Sequence, residues 1–173
     1  MRFVAAADLT LEPQTVAHAD EMFAVLGDPA IYEFENEPPP SLEWLRTRYA
    51  KLESRQSADG REQWLNWVIR IRTTELIGHV QATVHPNGCA AIAYELASAH
   101  WGRGLARQAV EAMIGELAEH HAARSLSAVL KRENFRSLRL LERLGFALAS
   151  PEEHLSQRAE PDELLMLRGI RRP

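Results

Sequence analysis

The sequence predicts a mixed α/β domain, on three observations. The middle of the chain reads as a β meander, alternating apolar and polar through 64–72 and returning through 76–85 and 90–97 between turn signals. The second half then alternates long helical patterns with short strand patterns, an order that places helices against a sheet. At 173 residues the chain suits one domain, 1–173, with enough length to bury a proper core.

Each element has its own signal. Leu9 to Glu12 reads as a short strand ended by Pro13. Thr15 caps a helix to about Leu26, with Val16, Ala19, Phe23 and Leu26 on one face, and Gly27-Asp28-Pro29 stops it. The segment 31–40 is acidic, aromatic and stiffened by three prolines. Ser41 caps a second helix to about Glu53, striped by Leu42, Leu45, Tyr49 and Leu52, and a polar loop covers 54–62. In the meander Leu65, Trp67, Ile69 and Ile71 share one face, and residues 73–75 make the first turn. Gly78 inside the next strand predicts a bulge or a close backbone approach. Pro86-Asn87-Gly88 is a hairpin signal leading into the strand Ala90 to Ala97. Leu105 to about His121 is a long helix with Ala109, Met113 and Leu117 inward and Arg107 and Glu111 outward as an i,i+4 pair. Ser127 to Leu130 is a further strand, Asn134 to Leu144 a helix, Phe146 opens another strand, and Asp162 to Gly169 closes the sheet.

Composition bounds the function. A net charge of −4 carries no global basic field that would recruit nucleic acid or membrane. The lone Cys89 excludes an internal disulfide and fits a reducing compartment. The apolar run Phe3 to Ala7 is too short for a signal peptide, and no stretch approaches a membrane span, so a cytoplasmic protein is expected. No pair of His, Cys, Asp or Glu has metal-ligand spacing, so no metal is predicted.

The chain is organised around 92–111, where a strand passes through Gly102 and Gly104 into the long helix. A strand, a glycine turn and a helix N-terminus together make an anion site. The first N–H groups of a helix lack internal partners, the macrodipole adds positive charge, and glycine lets the backbone approach the ligand. A dinucleotide fingerprint would need a third glycine where Arg107 stands, and a Walker loop would need Lys-Ser/Thr after Gly104, where Leu105 and Ala106 stand. Both readings fail on residue identity.

What remains, Tyr94-Glu95-Leu96 followed by Trp101-Gly102-Arg103-Gly104-Leu105-Ala106, resembles the GNAT superfamily of acetyl-CoA-dependent N-acetyltransferases. The RimJ/RimL-like branch, whose members acetylate N-terminal amines of ribosomal proteins, is the nearest in pattern. The first loop position, usually Gln or Arg across the superfamily, is Ala99. A second block, Asn134 to Phe146 with Ser137 and Leu141-Glu142-Arg143-Leu144-Gly145, resembles the family helix that flanks the cofactor. Weaker echoes at 8–13, 27–31 and 76–79 extend the resemblance over nearly the whole chain. It implies a single-domain fold with a central, mostly antiparallel twisted sheet of six to seven strands and about four helices.

The resemblance also implies a site. Amides from Trp101 through Gly102, Arg103, Gly104, Leu105 and Ala106 would bind the CoA pyrophosphate, and the strand ending at Leu96 and Ala97 would pair with pantetheine. A backbone N–H there would polarise the thioester carbonyl. Asn134 reads both as a helix N-cap and as a group facing the ligand. Many GNAT members carry a tyrosine, where Leu141 stands, to protonate the departing thiolate; Ser137 is the substitute in the RimJ/RimL-like pattern. Arg136, Arg139 and Arg143 read as a solvated face, with the alternative that Arg139 meets a CoA phosphate. General-base candidates are Glu95 and Glu153, with His154, Glu33 and Glu35 behind them.

The reading that follows is direct transfer of an acetyl group from acetyl-CoA to a primary amine, either a protein N-terminus or a small molecule, in a ternary complex. Cys89 has no evident partner base for a covalent route. The rivals are a non-catalytic acyl-CoA-binding module and an antibiotic acetyltransferase of the aminoglycoside type, whose cationic substrate would suit Glu33, Glu35 and Glu37. The identity of the acceptor and the oligomeric state, a homodimer among the options, stay open.

Overall fold

The computed structural model describes residues 1–34, 36–72, 74–156 and 159–170. Among the candidates above, Glu35 lies outside them, as does Thr73 of the first meander turn. One eight-stranded sheet runs through the molecule in the order β1-β2-β3-β4-β5-β6-β8-β7. Its strands are β1 Val4–Ala5, β2 Leu9–Pro13, β3 Gln63–Ile71, β4 Leu76–Val84, β5 Cys89–Leu96, β6 Ser125–Lys131, β7 Ala147–Leu148 and β8 Glu163–Gly169. The helices are α1 Ala19–Val25, α2 Leu42–Leu52, α3 Leu105–His120, α4 Phe135–Arg143 and α5 Pro151–Ser156.

Two expectations need correcting. Among the described residues the sheet has eight strands rather than six to seven, and there are five α-helices against about four. The strand not foreseen, β1, is two residues long and so has no periodicity to read; α5 is a six-residue piece with no buried side chain and hence no apolar stripe. The first helix also begins as a 3₁₀ turn at Val16–His18, where the Thr15 N–H donates to His18 Nδ1 at 3.0 Å.

Both faces of the sheet are covered, because the meander strands carry apolar residues on both sides. On one face Leu65, Trp67, Ile69, Val80 and Ala82 pack against Leu105, Ala109, Met113 and Leu117 of α3 and Leu141 of α4. On the other, Val68 and Leu76 meet Ala19, Met22 and Leu26 of the first helix and Leu45 and Tyr49 of α2.

Every neighbouring pair is antiparallel except β5 and β6, and these two stay together only at Cys89–Ser125, Ala90–Leu126 and Ala91–Ser127. Beyond Ala91 the strand β5 continues on β4 while β6 continues on β8. The sheet therefore splits into a wedge whose inner edge is Ile92 to Leu96. The pairing with β4 settles where the edge groups point. The Ala97 N–H donates to Ile77 O at 2.9 Å, so Leu96 and Gly78 face each other as a non-hydrogen-bonded pair and the Leu96 N–H points into the wedge.

Gly78 is what lets β4 and β5 close at that point. A Cβ on it would lie 2.1 Å from Glu95 O and 2.8 Å from the Leu96 Cα, and the β3–β4 register shifts beside it, at Ile69/Arg70. Both predicted features, the irregular register and the close approach, are present. Gly78→Ala will cost about 1–3 kcal/mol by forcing the two backbones apart, read as a lower midpoint in urea.

Candidate active site

Two cavities lie at the wedge, and a third touches the first across the sheet. The first, about 110 Å³, is lined by Tyr94, Glu95 and Leu96 of β5, by Asn134, Arg136, Ser137 and Leu140 around α4, and by Trp101, Ala106, Ala30, Ile31 and Phe34. The second, about 580 Å³, opens from it over the start of α3 and shares Leu96, Trp101, Ala106, Arg136 and Leu140. The third, about 320 Å³, lies on the α1/α2 side of the sheet. Among the described residues, Glu95 is the one lining both the first and the third.

The second cavity has the properties of an anion site. Gly102 and Gly104 have φ of 73° and 75°, a region costly for residues with a Cβ, and nothing lies within 4 Å of where a Cβ would stand. Gly104 is the N-cap of α3, so the first amides of that helix open into the cavity without intrahelical partners. Arg136, Arg139 and Arg143 form the opposite wall, and Arg139 and Arg143 have no ion-pair partner among the described residues. Glycines with left-handed backbone, a helix N-terminus and free guanidiniums fit a polyphosphate.

Arg136 is placed differently. Its guanidinium lies 3.6 Å above the Trp101 ring and pairs with Glu33 at 3.1 Å. The Trp101 indole N–H donates to Leu96 O at 2.8 Å, which fixes the end of β5. Asp28, absent from the sequence candidates, ties the neighbouring loops together: its carboxylate accepts from Ala30 N–H at 3.0 Å and from Ser98 N–H at 2.6 Å. The Ser98 amide holds its pKa below the usual carboxylate value.

On the α4 side, Asn134 accepts from the Ser137 N–H at 3.1 Å, so the cap role is real, and its side chain lines the first cavity as well. The Tyr94 O–H donates to Ser137 Oγ at 3.0 Å, spanning the wedge from β5 to α4. Burial pushes the Tyr94 phenol up to about 12. Tyr94 is not among the site candidates above, where it stands only within a motif. The signal was available in the alternation of β5, where Tyr94 shares a side with Ile92 and Leu96. Leu141, where many relatives have tyrosine, is 1% exposed and belongs to the core.

On the α2 side, Glu95 sits opposite His79 in the β4–β5 register, with its carboxylate 3.9 Å from His79 Nδ1 and accepting from Asn36 Nδ2 at 3.3 Å. Burial lowers the His79 pKa below its ordinary value, which keeps the ring neutral near pH 7. Tyr32, at the edge of the same cavity, is raised to about 12 by burial and by Glu95.

Other candidates do not reach the wedge. Glu153 is in α5, where its carboxylate accepts from the Ser150 N–H at 2.8 Å as a cap. The ring of His154 is within 3.0 Å of Glu163 O. The Ala97 N–H is used by Ile77 O, and Arg103 turns to His100 at 3.3 Å; neither residue lines the cavities. Glu33 is engaged by Arg136.

The acetyltransferase (GNAT) domain family matches residues 8–147 of the sequence. The chain belongs to the GNAT family. It is therefore an acyltransferase domain. Among relatives, an uncharacterized N-acetyltransferase, p20 of Bacillus licheniformis, is 26% identical over 140 residues, covering 80% of this chain and 78% of that protein. Among solved structures, the ribosomal L7/L12 α-N-protein acetyltransferase RimL in complex with coenzyme A superposes with a TM-score of 0.81 at 18% identity, covering 97% of this GNAT chain and 98% of RimL. The microcin C7 self-immunity acetyltransferase MccE, in complex with acetyl-CoA and AMP, gives a TM-score of 0.73 at 18% identity, covering 94% and 93%. At these identities the structures speak for the fold, and the fold agrees with the RimJ/RimL-like resemblance.

Proposed function

We propose that this GNAT domain transfers the acetyl group of acetyl-CoA to the α-amine of a protein or peptide N-terminus, in a ternary complex. The observation carrying this reading is Glu95, the one described residue that lines both the first cavity and the cavity beside α2, with its carboxylate on the α2 side near His79 and Asn36. The two reactants would approach from opposite sides of the sheet and meet at that side chain.

Acetyl-CoA supplies an acyl thioester. The amides from Gly102 to Ala106, with Arg139 and Arg143, hold its phosphates, and the open edge of β5 receives the pantetheine amides as an added strand. The Leu96 N–H, aimed into the wedge, donates to the acyl oxygen as negative charge develops there. Glu95 receives one proton of the incoming ammonium, the neutral amine bonds to the acyl carbon as the C–S bond breaks, and the second amine proton lost from the adduct passes through water to the thiolate. An α-amine with a pKa of about 7.7–8.0 asks little of that base, whereas a lysine near ~10.4 asks far more. This difference favours an N-terminal acceptor.

Tyr94 and Ser137 serve the departing sulfur. A thiol titrates near ~8.5, so full transfer from a phenol at about 12 is uphill by roughly three powers of ten. The pair therefore acts as a hydrogen-bonded donor that steadies the thiolate while water completes the protonation. Ser137→Ala and Tyr94→Phe will each lower kcat by ~10–10² with little change in KM for acetyl-CoA, near or below the low end for general-acid assistance. The double variant will be no worse than the poorer single one, since both hydroxyls belong to one chain. Additive losses would separate their roles.

The test of the reading itself is thiol release. The protein with acetyl-CoA and a panel of peptides, polyamines and aminoglycosides is expected to liberate CoA with peptides bearing a free N-terminus. Tight acetyl-CoA binding without turnover of any amine would make it a binding module instead.

A further inference from the structure

The acceptor cavity continues away from Glu95 into a fourth cavity of about 260 Å³, sharing Arg48, Leu52, Asn66 and Gln81 with it. Together they form a trough whose floor is the α2-facing side of β3, β4 and β5. The strand register lays that floor out in rows: Val68–His79–Glu95, then Asn66–Gln81–Ala93, then Trp64–Thr83–Ala91. From the first row to the third is four residues along β4, roughly 13 Å at about 3.3 Å per residue.

The trough is electrically graded. Its inner end holds Glu95 and, at the rim, Glu37. Arg48 lines both the inner and the outer cavity, and Lys51, one helical turn further along α2, lines the outer one. Arg48 lies 5.5 Å over the Trp44 ring and Lys51 5.9 Å over the Trp64 ring, and neither has a carboxylate partner among the described residues. Two buried polar atoms on residues lining the inner cavity, Gln14 Nε2 and Tyr49 Oη, also lack hydrogen-bond partners, and each residue is 3% exposed. Buried donors in this state are costly unless a ligand supplies the acceptor.

We infer that the acceptor is an extended peptide whose free amine sits at Glu95 and whose third or fourth residue carries a carboxylate that meets Arg48 and Lys51. This rests on the N-terminal acetyltransferase reading above and specifies its substrate. Three to four extended residues span about 10–14 Å, the distance between the rows. The peptide carbonyls satisfy Gln14 and Tyr49 along the way. A polyamine or aminoglycoside would bring its second positive charge against Arg48 and Lys51. The same two side chains that attract an acidic peptide repel it.

The experiment compares synthetic hexapeptides differing only at positions three and four: Asp, Asn or Lys, each with a free N-terminus, with released thiol as the readout. We expect kcat/KM for the Asp peptides to exceed that for Asn by about tenfold and for Lys by more. The advantage will shrink as salt rises. The double variant Arg48→Glu/Lys51→Glu, with CoA affinity by calorimetry as the check on folding, will reverse the order and favour Lys. Equal rates for Asp, Asn and Lys peptides would overturn the acidic-residue assignment while leaving the N-terminal acetyltransferase standing. Turnover of no peptide at all would overturn both. Preference for Asp that survives the double charge reversal would move the recognition site away from α2 and equally refute the proposal.

Discussion

Gly104→Glu will leave the protein folded and remove its affinity for CoA. The folded state survives because the position sits at a surface turn with no neighbour within 4 Å of a Cβ. The left-handed backbone at φ 75° costs a residue with a Cβ only ~1–2 kcal/mol. Binding does not survive, since the new carboxylate stands at the N-terminus of α3, where the phosphate belongs, and takes the Arg139 and Arg143 charges for itself. Gly104→Ala separates the two effects: it pays the backbone cost without the anion and will weaken binding only modestly. Calorimetry with CoA reads both, and an unchanged affinity in folded Gly104→Glu would remove the phosphates from this turn.

Glu95→Gln will lower kcat/KM at neutral pH by ~10²–10⁴, the range for a positioned base. The isosteric amide can still accept from Asn36, so the loss will not come from a collapsed cavity. The deficit will narrow as pH rises past the α-amine pKa of about 8, because the amine then arrives already neutral and its first proton no longer has to be removed by the enzyme. Glu153→Gln, in a helix-capping carboxylate away from the wedge, will leave the rate unchanged. A flat loss across pH in Glu95→Gln would assign the residue to positioning rather than proton transfer.

Much of this was legible from residue types and spacing. The alternation of β3 to β5, the caps at Ser41 and Asn134 and the glycine turn before α3 are local signals, and local chemistry reads directly from sequence. Gly78 was legible as an irregularity, although its neighbour across the strand was not. What could not be read is what depends on distant segments. Tyr94 meets Ser137 across 43 residues, and Asp28 meets Ser98 across 70. Glu95 was ambiguous for a related reason: alternation gives two faces, and only the packing of α2 on one of them says which face holds the acceptor cavity. Glu153 was a candidate because carboxylates are interchangeable in sequence, and its use as a cap appears only once α5 exists.

The split between β5 and β6 has a mechanical side. Within the sheet, the plates β1–β5 and β6–β8 are joined by three residue pairs at Cys89 to Ala91, with Cys89 Sγ 3.7 Å from Ser127 Oγ at the joint. Across the open end the Tyr94–Ser137 hydrogen bond is a removable clasp. The wedge is thus held at one end by backbone pairing and at the other by two side chains, so a substitution at either end would change the width of the slot in which the proposed pantetheine strand would lie.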